Sequence, residues 1–424
     1  MVTTLKPKAT TPRIKALYVG TPDGCSGLLS KESQHVFTYA ANAVTQLNQR
    51  MAIALSMPVR AESYKSNPIF PVFQTSLPEG FLKDRIVDRF SKTMRIDDMA
   101  LIALSGGNRV GRIRLSASAE MPPDQAGAES LKEILDSEGS RNLFQDLCDR
   151  YLITSGISGV QPKVMLSAID DLNSTEGQTL ALHKQSIGAK STLRGKNLIV
   201  KVGSDEYPAL SENEFHCLSI AKAVDMDVPE FWLSQDRKRL AIRRFDIDHT
   251  SGQFLGFEDM VSIQGKVNDH KYEGSYESIA LAIRRNASPA LIQSSLNEFF
   301  SSVVLSIALR NGDAHLKNFG LLYTDPTSND CRISPTYDLV CTTIYLPTDQ
   351  LALSLAKSKA WPDRATLVEF GKKICDVERS ADVVNRIVDV VAQFEPNRDE
   401  SGVWKRIRTH LDSALLSLRG PRSP

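Results

Sequence analysis

The chain has no C-x-x-C pair, and its six cysteines (Cys25, Cys148, Cys217, Cys331, Cys341, Cys375) are scattered. That spacing supplies neither a zinc site nor a disulfide framework. A surplus of charge is lacking too. With 51 basic and 50 acidic residues the net charge is +1, so no global field draws the chain to nucleic acid or membrane. Any DNA contact is expected through a local patch or a partner. No window reads as the roughly 18 uncharged apolar residues that a membrane helix needs. The first twenty residues lack an apolar h-region, so no signal peptide is expected. A Walker loop, G-x-x-x-x-G-K-[ST], is absent, and so is any repeat of structural period. These absences predict a cytoplasmic protein without membrane association. What remains is globular in composition, 42% hydrophobic and 24% charged, and 424 residues should divide into two or three domains.

The chain is organised around residues 306–322, SIALRNGDAHLKNFGLL. An apolar helical run stops at Arg310, Asn311 and Gly312. A loop then carries Asp313, His315, Lys317 and Asn318, and 319–323 reads as a short strand. Asp313 and Asn318 stand in the order D-x-x-x-x-N, the spacing of a protein-kinase catalytic loop. The chemistry explains the spacing: the Asp accepts the proton of an attacking hydroxyl, and the Asn a turn further on holds a Mg²⁺ that bridges ATP phosphates. Polar Asp-Asn-Gly loops are also common turns. A second acidic loop strengthens the sharper reading, because 332–340, RISPTYDLV, ends a strand on Asp338. That is where a second metal-binding Asp would stand.

Upstream, 155–167 (SGISGVQPKVMLS) is a Gly-rich turn entering a strand. Gly156 and Gly159 permit the close backbone approach that phosphates need, although a plain hairpin turn has the same composition. Residues 197–203 (NLIVKVG) bury a single Lys201 in an apolar strand, which is costly unless it is paired. The helix expected over 211–226 offers the partner. Ser211 reads as its cap, Glu212 as a helix-dipole partner, and Glu214 as the inward carboxylate, aligned with Leu218 and Ala221. The strand 239–245 (RLAIRRF) follows, and Arg243 to Phe245 is the candidate hinge toward adenine.

In order, 1–13 reads as a flexible tail and 14–115 as a small α/β subdomain. Within it, strands are expected over 14–20 and 34–39, a turn over 21–27, and helices over 77–90 and 97–104. Gly106, Gly107 and Gly111 should frame a hairpin whose second strand is 110–115. Residues 116–144 read as a linker and helix, within a helical region over 130–151. A nucleotide-binding N-lobe portion is expected over 145–245, and a helical C-lobe with both acidic loops over 246–424. Helices are expected there over 278–284, 291–309, 364–377, 383–394 and 403–418. The fold class predicted is α+β: a bilobal protein-kinase-like fold with a small N-terminal subdomain and a mainly helical C-terminal lobe.

Eight segments in this order, GISGVQPK, LIVKV, ENEFHCLSIAKAVDMDVP, RRFD, FEDM, KYEGSYESIA, NGDAHLKNFGLL and YDLV, resemble the HipA family of bacterial serine/threonine kinases. Those are the toxins of HipB–HipA toxin–antitoxin modules. FPVFQTSLPEG and ALSGGNRVGRIRL are similar to the family's N-terminal subdomain. The resemblance implies that Asp313 is the catalytic base, and that Asn318 and Asp338 bind Mg²⁺. It implies that ATP meets Gly156, Ser158, Gly159 and Lys163 of the Gly loop, then Lys201, Glu214 and His315, and the hinge residues Arg243 and Phe245. It further implies autophosphorylation on that loop. Gly156 stands where the family often has Ser, which leaves Ser158 and Ser155 as the two candidates. A HipB-like helix-turn-helix antitoxin is the partner implied, with DNA reached only through it, and an aminoacyl-tRNA synthetase is the class of protein substrate that the resemblance implies. The other readings are a catalytically silent HipA-like binding module in a repressor complex, and a small-molecule or lipid phosphotransferase.

Overall fold

The structure, a computed structural model, describes residues 13–105, 108–120, 128–136, 146–148, 150–151, 157, 161–168, 196–203 and 205–419. Ser155, Gly156, Ser158 and Gly159 of the Gly loop, with the Gly106–Gly107 pair and the 1–12 tail, lie outside the described residues.

The N-terminal subdomain is a five-stranded antiparallel sheet of β1 (Ala16–Thr21), β2 (Gly24–Lys31), β3 (His35–Tyr39), β4 (Tyr64–Ser66) and β5 (Arg114–Ser116), ordered β4-β3-β2-β1-β5. Leu17, Val19, Leu29 and Phe37 alternate along their strands into a core closed by α1 (Gly80–Phe90) and α2 (Asp98–Leu104). Two expectations are corrected here. The turn over 21–27 shrinks to Pro22 and Asp23, because Gly24 takes φ +116° and β2 begins at once. Nor is the strand expected over 110–115 the second of a hairpin: α2 ends at Leu104, and β5 pairs with β1, far back in the chain.

The second sheet has the order β6-β7-β8-β10-β9: β6 (Ala128–Glu129), β7 (Lys163–Ala168), β8 (Lys196–Val202), β9 (Phe231–Leu233) and β10 (Arg239–Arg243). Period-two alternation divides its side chains. Val164, Leu166, Leu198 and Val200 pack beneath the helix Leu131–Asp136. Met165 and Ile199 face the other way, with Lys163 and Lys201 on the same side by parity. Of the helical region expected over 130–151, that helix and helical residues at 146–148 and 150–151 are described.

Helix α3 (Leu210–Ala223) crosses behind this sheet. Its start differs from expectation. Ala209, at φ 60°, turns the chain in before Leu210, and Ser211 lies inside the helix, its hydroxyl donating to the Lys238 carbonyl at 3.0 Å. Glu212 does stand in the first turn, where a helix-dipole partner belongs, but it is buried, and Arg237 Nε donates to it at 2.6 Å.

The C-lobe holds a three-stranded sheet of β11 (Gly256–Asp259), β12 (Gly320–Tyr323) and β13 (Arg332–Ile333), and the helices α4 (Tyr276–Asn286), α5 (Ile292–Ala308), α6 (Arg364–Lys373), α7 (Ser380–Gln393) and α8 (Val403–Leu418). Helix α6 ends four residues before its expected stop, where Asp376 takes φ 53°. Helix α5 is buried all round from Phe299 to Ala308, with Phe299, Phe300, Val303 and Val304 at its apolar centre, while Gln293, Ser294 and Asn297 face out near its start. This corrects the reading that no window approaches a membrane helix. Pro289–Ala308 is long and apolar enough by length and composition, and most of it is buried as the lobe's central helix.

The N-terminal subdomain is not tethered loosely. Gly111 N donates to Asp246 Oδ2 at 2.7 Å, Arg244 Nη2 to the Arg109 carbonyl at 2.6 Å, and Leu55 N to Glu258 Oε1 at 2.8 Å. Gly111 is required at φ +86°, where a Cβ would meet the Phe257 backbone nitrogen at 3.4 Å.

Candidate active site

A cleft of about 600 Å³ opens between the second sheet, the 312–318 loop and the edge of the N-terminal subdomain. At its head, β7 and β8 place Lys163 directly opposite Lys201. Like charges paired across a sheet repel, and both lysines are buried. Lys201 is compensated on two sides. Its Nζ lies 2.6 Å from Glu214 Oε1 on α3 and 2.6 Å from Asp338 Oδ1. Burial works against its charge, but the two carboxylates prevail and raise its pKa above the ordinary lysine value. Asp338 responds in kind: burial opposes ionisation, and Lys201 with Lys163 still holds its carboxyl well below the usual range. Lys163 has no ion-pair partner among the described residues, and desolvation lowers it to about 8.

The backbone puts Asp338 there by an uncommon route, φ 59°, a left-handed conformation that Asp tolerates better than most residues. Asn318 brackets the two acidic loops. Its Nδ2 donates to Asp338 Oδ2 at 3.1 Å, while its Oδ1 accepts from His315 N at 2.9 Å. His315 is buried, and desolvation beside Lys271 lowers its pKa to about 3, so the ring is neutral.

Asp313 sits at the cleft floor, where the apolar α5 ends and Arg310 turns the chain at φ 55°. Its side chain is half exposed by area, yet the surrounding walls desolvate it and raise the carboxyl to about 6. Tyr272 Oη donates to its Oδ1 at 2.8 Å. The opposite end of the cleft is apolar. Phe245 packs against Tyr337 and Phe257 at ring separations of 5.2 and 5.5 Å, with Val110, Ile199 and Ile242 also lining the space. Arg243 lines the same end while its Nη1 donates to Glu230 at 2.5 Å.

The structure therefore gathers Lys163, Lys201, Glu214, Arg243, Phe245, Asp313, His315, Asn318 and Asp338 around one cleft. The four named Gly-loop residues lie outside the described residues, although Ile157, between Gly156 and Ser158, and Gln161, just beyond them, line the cleft. Sequence reasoning missed Tyr272, which stood unread inside KYEGSYESIA. It also missed Thr75, Glu79 and Val110, wall residues from a subdomain read as separate. Glu79 reaches Lys317 Nζ in the 312–318 loop at 3.0 Å. At the outer end of α3, Glu212, His216 and Asp399 bring ligand atoms within 4.8 Å of one another. Arg237 already supplies a positive charge there.

Two lobes around a cleft that joins a strand lysine, a helix glutamate and two loop aspartates define a kinase-like α+β fold. The family is specific. Residues 155–397 match the HipA-like C-terminal domain and 17–116 the HipA N-terminal domain, and the chain belongs to the HipA family. It is 29% identical over 332 residues to Y4dM of Sinorhizobium fredii, named as a candidate kinase, covering 73% of this chain and 72% of that one. A Haemophilus influenzae protein, likewise named as a candidate kinase, is 32% identical over 202 residues, 45% of this chain and 53% of its own. Among solved structures, HipA of Shewanella oneidensis, in complex with HipB and operator DNA, superposes with a TM-score of 0.68 at 19% identity. The match covers 95% of this chain and 96% of that one, and bears out the predicted fold class.

Proposed function

We propose that the protein is an ATP- and Mg²⁺-dependent serine/threonine protein kinase of the HipA toxin type. One observation carries the reading: a buried lysine is clamped between a helix glutamate and the loop aspartate Asp338, at one end of a cleft whose floor carries Asp313 with its carboxyl near 6. A general base is most effective when its pKa lies near the working pH.

The residues present fit the nucleotide. Two buried lysines stand side by side, one with no ion-pair partner among the described residues, and a polyphosphate relieves their repulsion. The apolar wall of Phe245, Ile242 and Val110 suits a flat base. Asn318 and Asp338 fit Mg²⁺, since amide and carboxylate oxygens are hard donors and each has a further lone pair beyond its present hydrogen bonds. When bound, the ion supplies charge neutralisation across the transferring phosphates. Lys201 orients the phosphates, and Glu214 keeps Lys201 in line. Asp313 takes the proton of the acceptor hydroxyl.

The acceptors proposed are a protein target, by family resemblance an aminoacyl-tRNA synthetase, and the chain's own Ser158 or Ser155. A HipB-like antitoxin is the proposed partner, with DNA met only through it, and the cytoplasm is the compartment that suits such a pair. The test is transfer of labelled phosphate from ATP, with and without Mg²⁺, to the chain itself, to lysate proteins and to small molecules. Label on serine or threonine of protein is expected, and label confined to small molecules would replace this reading with a metabolite phosphotransferase. Mass spectrometry should map self-phosphorylation to 155–158.

A further inference from the structure

An acceptor hydroxyl must come within hydrogen-bond reach of one Asp313 oxygen, at a defined angle, for proton transfer to be efficient. A carboxylate rotates readily about its terminal torsion, so something must fix it. The backbone of the 312–318 loop does not hold the carboxylate; Asp313 uses its N–H to reach Asn311 Oδ1 at 3.1 Å. Among the described residues Tyr272 is the one hydrogen-bond donor to the carboxylate, at 2.8 Å on Oδ1, and no hydrogen bond reaches Oδ2.

Tyr272 is itself held firmly. Its carbonyl accepts from Lys359 Nζ at 3.2 Å, and the preceding carbonyl, of Lys271, accepts from Leu316 N in the catalytic loop at 3.1 Å. Its ring packs edge-on against His315, 5.1 Å between centroids. Tyr272 as a whole is nonetheless 43% exposed where it lines the cleft. A segment braced on the catalytic loop itself behaves as a fixed strut rather than as a lid.

We propose that Tyr272 is the positioning residue of Asp313: its hydroxyl pins Oδ1, so that Oδ2 is presented to the acceptor hydroxyl. This rests on the kinase reading above. The other ionisable groups facing Asp313 among the described residues are Lys271, His315, Asp338, Asp349, Tyr207 and Tyr276, none of which donates a hydrogen bond to it. Removing the phenol hydroxyl takes away the one donor that favours the ionised carboxylate, so the acid limb of activity moves to higher pH.

The experiment compares full-length wild type, Tyr272→Phe and Asp313→Asn in autophosphorylation and in transfer to an added acceptor. Phe keeps the ring packing on His315, and an unchanged melting temperature verifies the fold. Tyr272→Phe should lower kcat about tenfold, about 1.4 kcal/mol, with both KM values within about twofold. Its acid limb should rise. 3-Fluorotyrosine at position 272, a stronger donor of the same shape, should move the limb the other way. Wild-type kcat with an unmoved limb in Tyr272→Phe overturns the proposal, as does a rise in acceptor KM alone or a phosphate mapped to Tyr272. Those results leave the kinase standing so long as Asp313→Asn is inactive. A wild type that transfers no phosphate removes the kinase reading, and this proposal with it.

Discussion

A carboxyl raised to about 6 by desolvation is half protonated at that pH, and only the ionised form can accept a proton. The sign follows directly. kcat/KM should be constant above neutrality and fall as pH drops through about 6, as read from a pH–rate profile. Asp313→Asn should cost about 10²-fold or more in kcat while nucleotide affinity stays within a few-fold, checked by calorimetric titration. Asp338 should behave differently. Its backbone sits at φ 59°, which Asn also tolerates, so Asp338→Asn should fold. Removing this carboxylate takes one of two anions from Lys201 and the charged donor from the proposed metal site. Mg²⁺ titrations of nucleotide affinity should therefore lose most of their Mg²⁺ dependence. An unchanged dependence would return Asp338 to a purely structural turn.

Strands and helices carry the next set of consequences. Lys163 and Lys201 are cross-strand neighbours on the cleft face of β7 and β8, and each repels the other. Lys163→Met keeps the length of the side chain and removes one buried charge. It should raise the melting temperature of the ligand-free protein, while weakening nucleotide binding about tenfold or more. Scanning calorimetry with and without nucleotide checks both. Much of this arrangement was legible in the sequence. A single Lys in an apolar strand, two acidic residues opening a helix, and D-x-x-x-x-N after an apolar run are local patterns with local causes. Helix α8 was legible to its last residue. What failed was long-range. Gly24 reads as a turn glycine, but nothing local says that it already opens a strand pairing with β1. Ser211 has the chemistry of a cap, yet the left-handed Ala209 starts the helix first, and the hydroxyl goes to the Lys238 carbonyl. Tyr272 and Glu79 lie 41 and 238 residues from their partners Asp313 and Lys317, and no periodicity spans such distances.

At the scale of the molecule, the two matched regions meet at a seam that runs into the cleft. Arg244, Asp246 and Gly111 form a buried hydrogen-bonded knot there, and Val110, beside Gly111, lines the cleft wall. A chain begun after residue 116 would therefore lack Thr75, Glu79 and Val110, and would expose Glu258 without the Leu55 amide it now accepts from. Such a truncated chain is expected to bind nucleotide poorly and to associate through the bared surface, seen as a shift to large species on size exclusion.

The shared wall also makes nucleotide binding and subdomain docking linked equilibria. A ligand that touches both units favours the docked state over the undocked one by its differential affinity for the two, about 1.4 kcal/mol for each tenfold difference. The native protein should then melt as one cooperative unit when saturated, and any early shoulder from the N-terminal sheet in its absence should merge into the main transition. On the proposed kinase reading, docking thus becomes a quantity that nucleotide concentration regulates, with no motion of the 312–318 loop required.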